Sequence, residues 1–288
     1  MRVVNLADIQ SSKRDNGPRG GGLEFTSLLE GQEGAPENYW WTIAKSEGER
    51  YSPRHRHNFD QFRYSLEGDL SIGTKKYVRE GEVGYFPEGT HYGPQDDAGT
   101  ARTSLVLQFG GASGSGYISQ RQSRQALEAL QEYGKFERGI FHRERGEGKK
   151  NQDGFEALWE WVNKKKLTYP KRRYQEAVIL DPSSFNWRET DQEGVKRKLL
   201  GVFSERETRL EFFRIEHGAT WRVGAEDALR LGFIIKGSGE CAGKHIDAWG
   251  AFEGGVNDEF KLTADNPCEI LAITIPSIAA IQQAQAAE

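Results

Sequence analysis

Between residues 23 and 110 the chain alternates short apolar runs with glycine-rich or charged breaks, in segments too short for ordinary helices. The pattern predicts strands at 23–29 (LEFTSLL), 38–44 (NYWWTIA), 61–66 (QFRYSL), 69–73 (DLSIG), 83–87 (VGYFP) and 102–109 (RTSLVLQF). Strands at this density belong to a sandwich or a barrel. The run 110–116 (GGASGSG) interrupts them, and two helical stretches follow. The first, Ile118 to Tyr133, carries Ala126, Leu127 and Leu130 on one face; the second, Phe155 to Val162, places Phe155, Leu158, Trp159 and Val162 at helical spacing. That aromatic stripe reads as packing against the barrel rather than as a cofactor box. The basic residues after it, Lys164–Lys166 and Lys171–Arg173, read as a solvated face.

From residue 174 the strand pattern returns and repeats the first half. FRYSLEGDL at 62–70 aligns with LGFIIKGSG at 231–239, YFPEG at 85–89 with AFEGG at 251–255, and WWTIAKSEG at 40–48 with LEFFRIEHG at 210–218. The offset is about 170 residues each time, which points to an internal duplication. The economical reading is all-β: an N-terminal barrel over 1–115, a helical insert over 116–173, and a C-terminal barrel over 174–288 that ends in a helix.

Composition agrees. The 288 residues suffice for two domains of ordinary size, and 34 glycines with frequent aromatics suit tight turns between strands. Thirty-nine Lys and Arg against 43 Asp and Glu leave a formal charge of −4, which argues against a nucleic-acid partner. Cys241 and Cys268 are too few for a disulfide framework and lack C-x-x-C spacing, so reduced thiols are expected. The start, MRVVNLADIQ, has no signal-peptide core, and no stretch approaches the ~20 apolar residues of a membrane span. A soluble cytoplasmic protein with no membrane partner is the expectation.

The candidate chemistry lies in the first barrel. His55 and His57 stand at i and i+2, so on a strand their imidazoles share one face while Arg54, Arg56 and Asn58 take the other. Pro87 and Gly89 flank a tight turn that can aim His91 at the same interior. Three neutral imidazoles bind first-row divalent metals and leave positions open for other ligands. The same alternation puts Phe59, Gln61 and Arg63 on the His57 face, where Arg63 either holds an acidic substrate by a bidentate contact or is an ordinary surface arginine. Tyr92 and Gln95 are candidates for the mouth of the site. Asp60 falls on the opposite face and is set aside as a ligand, and His142, His217 and His245 form no set.

The spacing His55-x-His57, three residues, Gln61, six residues, Gly68, followed by Gly81, five residues, Pro87-x-Gly89-x-His91, resembles the two-part signature of the cupin superfamily. In that signature the first motif supplies two histidines and usually a glutamate, and the second supplies another histidine. This chain departs from it twice. Gln61 stands in the glutamate position, and only Thr90 separates Gly89 from the histidine where the common pattern has two residues. The resemblance covers residues 20–110 well and 174–276 faintly.

It implies duplicated cupin barrels of the double-stranded β-helix or jelly-roll kind. His55, His57 and His91 would hold a divalent transition metal, Fe(II) first, with Ni, Mn, Cu and Zn as alternatives. Gln61 would be either a weak amide ligand or a hydrogen-bond partner of a metal-bound water or substrate. With no carboxylate at Gln61 to offset the ion, the site should draw an anionic oxygen ligand. An all-histidine set resembles that of gentisate-type and β-diketone-cleaving dioxygenases. The implied activity is a non-haem metal-dependent dioxygenase acting on an aromatic or enolisable small molecule, with Gln61 tuning the shell and Arg63 orienting the substrate. The alternatives are a non-redox metal enzyme (isomerase, cyclase or decarboxylase) and a non-catalytic small-ligand-binding protein resembling pirins. The family likeness also implies a homodimer. In the second barrel the aligned positions hold Gly224 or Ala225, Glu226, Arg230 and Val256 or Asn257, so that barrel is expected to be structural. The 111–173 insert is either a lid over the barrel mouth or a brace.

Overall fold

A computed structural model describes residues 1–14, 22–35, 37–48 and 50–278. The chain divides into two compact units, Ser11–Ile179, and Met1–Gln10 together with Leu180–Glu288. In the first unit every strand read from the sequence is present: Leu23–Glu30, Tyr39–Ser46, Asp60–Glu67, Leu70–Gly73, Val83–Phe86 and Arg102–Phe109. Arg102–Phe109 lies between Asp60–Glu67 and Tyr39–Ser46 and pairs antiparallel with both. Val83–Phe86 continues the sheet beyond Asp60–Glu67, and Leu23–Glu30 continues it beyond Tyr39–Ser46.

Alternation gives this sheet two different faces. On one, Phe62 stacks on Phe109 with ring centroids 5.8 Å apart and meets Tyr85 at 5.0 Å. On the other, His57, Phe59, Arg63, Ser104, Val106 and Trp40 surround a cavity.

The second unit repeats the strand order. Ala251–Gly254, Ala228–Lys236, Cys268–Pro276, Thr208–Ile215 and Val195–Phe203 stand in hydrogen-bonded sequence, as Val83–Phe86, Asp60–Glu67, Arg102–Phe109, Tyr39–Ser46 and Leu23–Glu30 do in the first unit. Its core is aromatic, with Phe213 stacked on Trp221 at 4.3 Å and Phe252 and Phe260 beside them.

The chain's opening residues depart from the boundary read from the sequence. Arg2–Val4, assigned to the N-terminal barrel, pairs with Ala251–Gly254 of the second unit, where Val3 packs against that unit's core. A three-residue strand carries too little pattern to choose its own sheet; the partner's apolar surface chooses it.

The insert holds the two expected helices, Gln120–Gln131 and Gly154–Asn163. The first is opened by a capping box in which Ser119 accepts from the Gln122 amide and the Gln122 side chain accepts from the Ser119 amide. Asp153 caps the second by accepting from the Phe155 and Glu156 amides. Their apolar faces, with Ala126, Leu130, Leu158 and Trp159, share a buried cluster with Trp40 and Phe59 of the barrel, so the aromatic stripe is core packing. Between the helices runs an unforeseen antiparallel sheet of Gly134–Glu137, Ile140–Arg143 and Asn151–Asp153. Its abundant charged residues hide the two-residue period. The helix read at the end of the chain falls beyond residue 278, outside the described residues. Among the described residues no helix is long and apolar enough to cross a membrane.

Two outcomes follow. Cys241 and Cys268 are free and fully buried, and burial pushes both thiols up to about 12. Neither should react with a disulfide reagent at neutral pH until urea unfolds the chain, and prompt labelling of the native protein would contradict this burial. Gly89 holds a φ of +75°, and a Cβ there would lie 2.3 Å from the Pro170 carbonyl oxygen. Gly89→Ala should therefore lower stability by roughly 2–4 kcal/mol, as the sum of backbone strain and overpacking, read as a shift in the urea midpoint.

Candidate functional site

The segment 55–63 enters the barrel through an isolated bridge at His55 and a bend at Asn58–Phe59 before the strand begins at Asp60, and its side chains nevertheless fall into two sets. Odd-numbered His55, His57, Phe59 and Arg63 line a cavity of about 140 Å³. On the even side, Asn58 bonds Ser115 and the Gly116 carbonyl, and Asp60 accepts from the Tyr85 hydroxyl and the Glu88 amide. The His55 and His57 rings lie 5.0 Å apart, edge to face. His55 Nδ1 is 2.6 Å from the Pro53 carbonyl oxygen, which can only accept, so Nδ1 carries the proton and Nε2 the lone pair.

The turn carrying the second motif is fixed from several sides. The Gly89 amide donates to the His57 carbonyl at 2.8 Å, and the buried Glu88 carboxylate accepts from Ser113 and Arg173. The Thr90 hydroxyl donates to the Tyr174 carbonyl. Beyond the turn, His55 and Tyr92 exchange both backbone hydrogen bonds, at 2.9 Å each.

That pairing decides which residue of the second motif faces the interior, and it is Tyr92. Its hydroxyl lies 3.0 Å from His57 Nε2, 2.8 Å from Arg63 Nη2 and 3.3 Å from Gln61 Nε2. Arg63 also donates through Nε and Nη2 to Gln61 Oε1. Of the residues expected at the site, His55, His57, Gln61 and Arg63 thus come together, and Gln95 lines the same cavity.

His91 does not join them. It is partly exposed, and its pKa is held below the usual imidazole value by burial and then by the Arg56, Arg54 and Arg172 guanidinium groups. The cause is strand parity. The common pattern has two residues between the glycine and the inward side chain; counted from Gly89, that position is Tyr92, one past the histidine. The single-residue gap after Gly89 was therefore the signal for Tyr92, which the sequence reading placed only at the mouth.

The hydrogen bonds also fix where a proton lies. Arg63 and Gln61 both donate toward the Tyr92 oxygen and occupy its lone pairs, so the phenol O–H donates to His57 Nε2. This places the His57 proton on Nδ1. It also bears on the divalent metal implied by the cupin resemblance. Among the described residues no group of three His, Cys, Asp or Glu side chains is positioned to hold an ion. The His57 Nε2 lone pair faces the Tyr92 proton, and both nearby oxygen acceptors, Gln61 Oε1 and Tyr92 Oη, face a guanidinium. This donor set does not fit the expected three-histidine ion site.

A further element of the site was missed as such. Tyr117 and Phe155, from the insert, line the cavity, with the Phe155 ring 5.2 Å from that of His57. Both had the sequence signature of plain core residues.

The second barrel contrasts with the first. Its cavity of about 360 Å³ is bordered by Trp221, Phe213 and Arg230. Arg230, the counterpart of Gln61, is buried and donates to the carbonyls of Gly224, Gly255 and Asp258. The acids at this cavity are paired, Glu226 with Arg209 and Glu211 with Arg197.

No protein-family model matches the chain, and no curated protein matches it by sequence. Its fold, however, is similar to solved structures. A candidate dioxygenase from Nostoc punctiforme shares 9% identity at a TM-score of 0.62, with 96% of this chain and 82% of that one covered. Oxalate decarboxylase from Bacillus subtilis shares 13% identity at 0.58, covering 96% and 76%. HEPD from Streptomyces albus, solved with 2-hydroxyethylphosphonate and Fe(II), shares 12% identity at 0.59, covering 100% and 79%. These likenesses, and one strand order used twice, establish that the chain has the duplicated cupin fold.

Proposed function

We propose that the N-terminal barrel is the working site of an enzyme that binds a small organic anion and moves a proton on it without redox chemistry. The observation that carries this reading is Arg63. Its guanidinium lines the cavity, and among the described residues its partners are Gln61, Tyr92 and the Phe86 ring, with no carboxylate. The neighbouring cavity arginine, Arg102, is by contrast neutralised by Asp97 at 2.7 Å, both groups being buried. A cation held at a cavity wall without an acid favours an anionic guest, which supplies the missing charge.

In this reading Arg63 anchors the anionic group and Gln61 holds the guanidinium in place. The Tyr92 hydroxyl, hydrogen-bonded to His57 and flanked by Arg63, is the proton-transfer group: the imidazole accepts its proton and the guanidinium stabilises the phenolate. Catalysis by such a pair contributes typically 10²–10⁴-fold.

A second reading, a metal-dependent cupin oxygenase, is supported by the His55–His57 pair. His55 has Nδ1 fixed by a backbone carbonyl, as metal-binding histidines commonly do. The structural neighbours also include proteins described with Mn(II) and Fe(II). His55 and His57 would then hold the ion, which would supply Lewis-acid or dioxygen chemistry to an aromatic or enolisable substrate.

Calorimetric titration with short carboxylates tests the first reading. Arg63→Gln should weaken binding roughly 100-fold, the loss expected for removing a charged anchor, whereas Tyr92→Phe should keep binding and lose turnover. Equal affinity in Arg63→Gln would refute the role given to Arg63. Elemental analysis of protein purified without chelators separates the two readings. The first expects only trace metal, unchanged in His55→Ala. Stoichiometric metal that disappears in both His55→Ala and His57→Ala would establish the second.

A further inference from the structure

The helical insert contributes more than bracing. Its lead-in and first helix bring Tyr117, Ile118 and Gln120 to the cavity wall, and its second helix brings Phe155. The Phe155 ring stands edge-on to His57 at 5.2 Å and to Phe59 at 5.4 Å, and Tyr117 stands edge-on to Phe59 at 5.2 Å. Phe155 is nearly buried and sits in the first turn of its helix, where Asp153 accepts from its amide. Behind it the helix is packed through Leu158, fully buried, and Trp159. A wall with this backing does not yield to a larger guest without disturbing the insert's core.

The barrel supplies His55, His57 and Arg63 to the cavity wall, and the insert supplies Tyr117, Ile118 and Phe155. The volume between them, about 140 Å³, is close to that of an engineered cavity that takes up one benzene ring.

We propose that the insert is the size filter of this site and that Phe155 is its specificity-determining residue, limiting the barrel to organic anions whose apolar body is no larger than a single six-membered ring. The proposal rests on the reading of Arg63 as the anion anchor and adds to it a limit on the body attached to that anion. An acid with a two-ring body would place its outer ring where the Phe155 side chain stands.

The test is calorimetric titration of the full-length protein with benzoate and with 2-naphthoate, acids that differ by one fused ring. The wild-type chain should prefer benzoate by at least about tenfold, the discrimination a rigid apolar wall ordinarily gives. Phe155→Ala and the milder Phe155→Leu should shrink that ratio by tightening 2-naphthoate binding, in proportion to the volume removed. Arg63→Gln should weaken both acids alike. The wild-type ratio is read before any variant, so a variant that fails to fold does not remove the test.

Equal affinity of the wild-type chain for the two acids would overturn the size filter and leave the anion anchor standing. So would a benzoate preference unchanged in a folded Phe155 variant. Failure of the wild-type chain to bind either acid would overturn both.

Discussion

The structure turns on one backbone pairing, the bridge between His55 and Tyr92, together with the two-residue period of the strand that begins at Asp60. Side chains on a strand have only two directions, so the exchange of backbone hydrogen bonds between His55 and Tyr92 fixes which way that pair faces, and the strand from Asp60 does the same for Gln61 and Arg63. Inward go His55, His57, Gln61, Arg63 and Tyr92; outward go Asn58 and Asp60, which tie the barrel to its neighbouring loops. A one-residue change in the loop before Tyr92 exchanges a histidine for a phenol at the centre of the site. The consequence is chemical: a site with one imidazole fewer and a guanidinium against its oxygen acceptors carries positive charge of its own.

The same parity explains what was legible beforehand. The strands from Leu23 to Phe109 could be read because each combines β-branched or aromatic residues with a clear break, and the duplication could be read because three short matches share one offset. His55, His57, Gln61 and Arg63 could be placed on one face because they stand at even spacings within nine residues, and the bend at Asn58–Phe59 does not change that parity. His91 could not be placed that way. Its direction depends on the exact length of a turn held by Glu88, Gly89 and Thr90, whose partners Arg173, Pro170 and Tyr174 lie some eighty residues further on. Phe155 was legible as a buried helix residue, but which cavity it borders depends on how the insert folds back on Trp40 and Phe59. Local pattern says that a residue is buried; tertiary packing says what it is buried against.

The two barrels show how one strand order can carry different interiors. In the second, Arg230 takes the place corresponding to Gln61 and donates through both terminal nitrogens to three backbone carbonyls, and the acids at the cavity face arginines of their own barrel. In the first, Arg63 has only neutral partners among the described residues. Sheet topology is conserved between the halves while the charge balance inside them is not, which is how a duplicated fold can keep one half for chemistry and the other for support.

The pairing of Arg2–Val4 with Ala251–Gly254 also bears on the order in which the molecule assembles. Arg2 meets Glu253 across 251 positions of sequence, so this short strand is made long before its partner and waits unpaired throughout the synthesis of everything between. The first barrel's principal strands are complete once Phe109 has been made, and they can close while translation continues; the edge of the second sheet is completed by a segment that precedes its partner by some 250 residues. Vectorial synthesis thus lets the strands of the barrel that holds the candidate site meet before the second sheet exists, and leaves one edge of that later sheet to be sealed by residues made some 250 positions earlier.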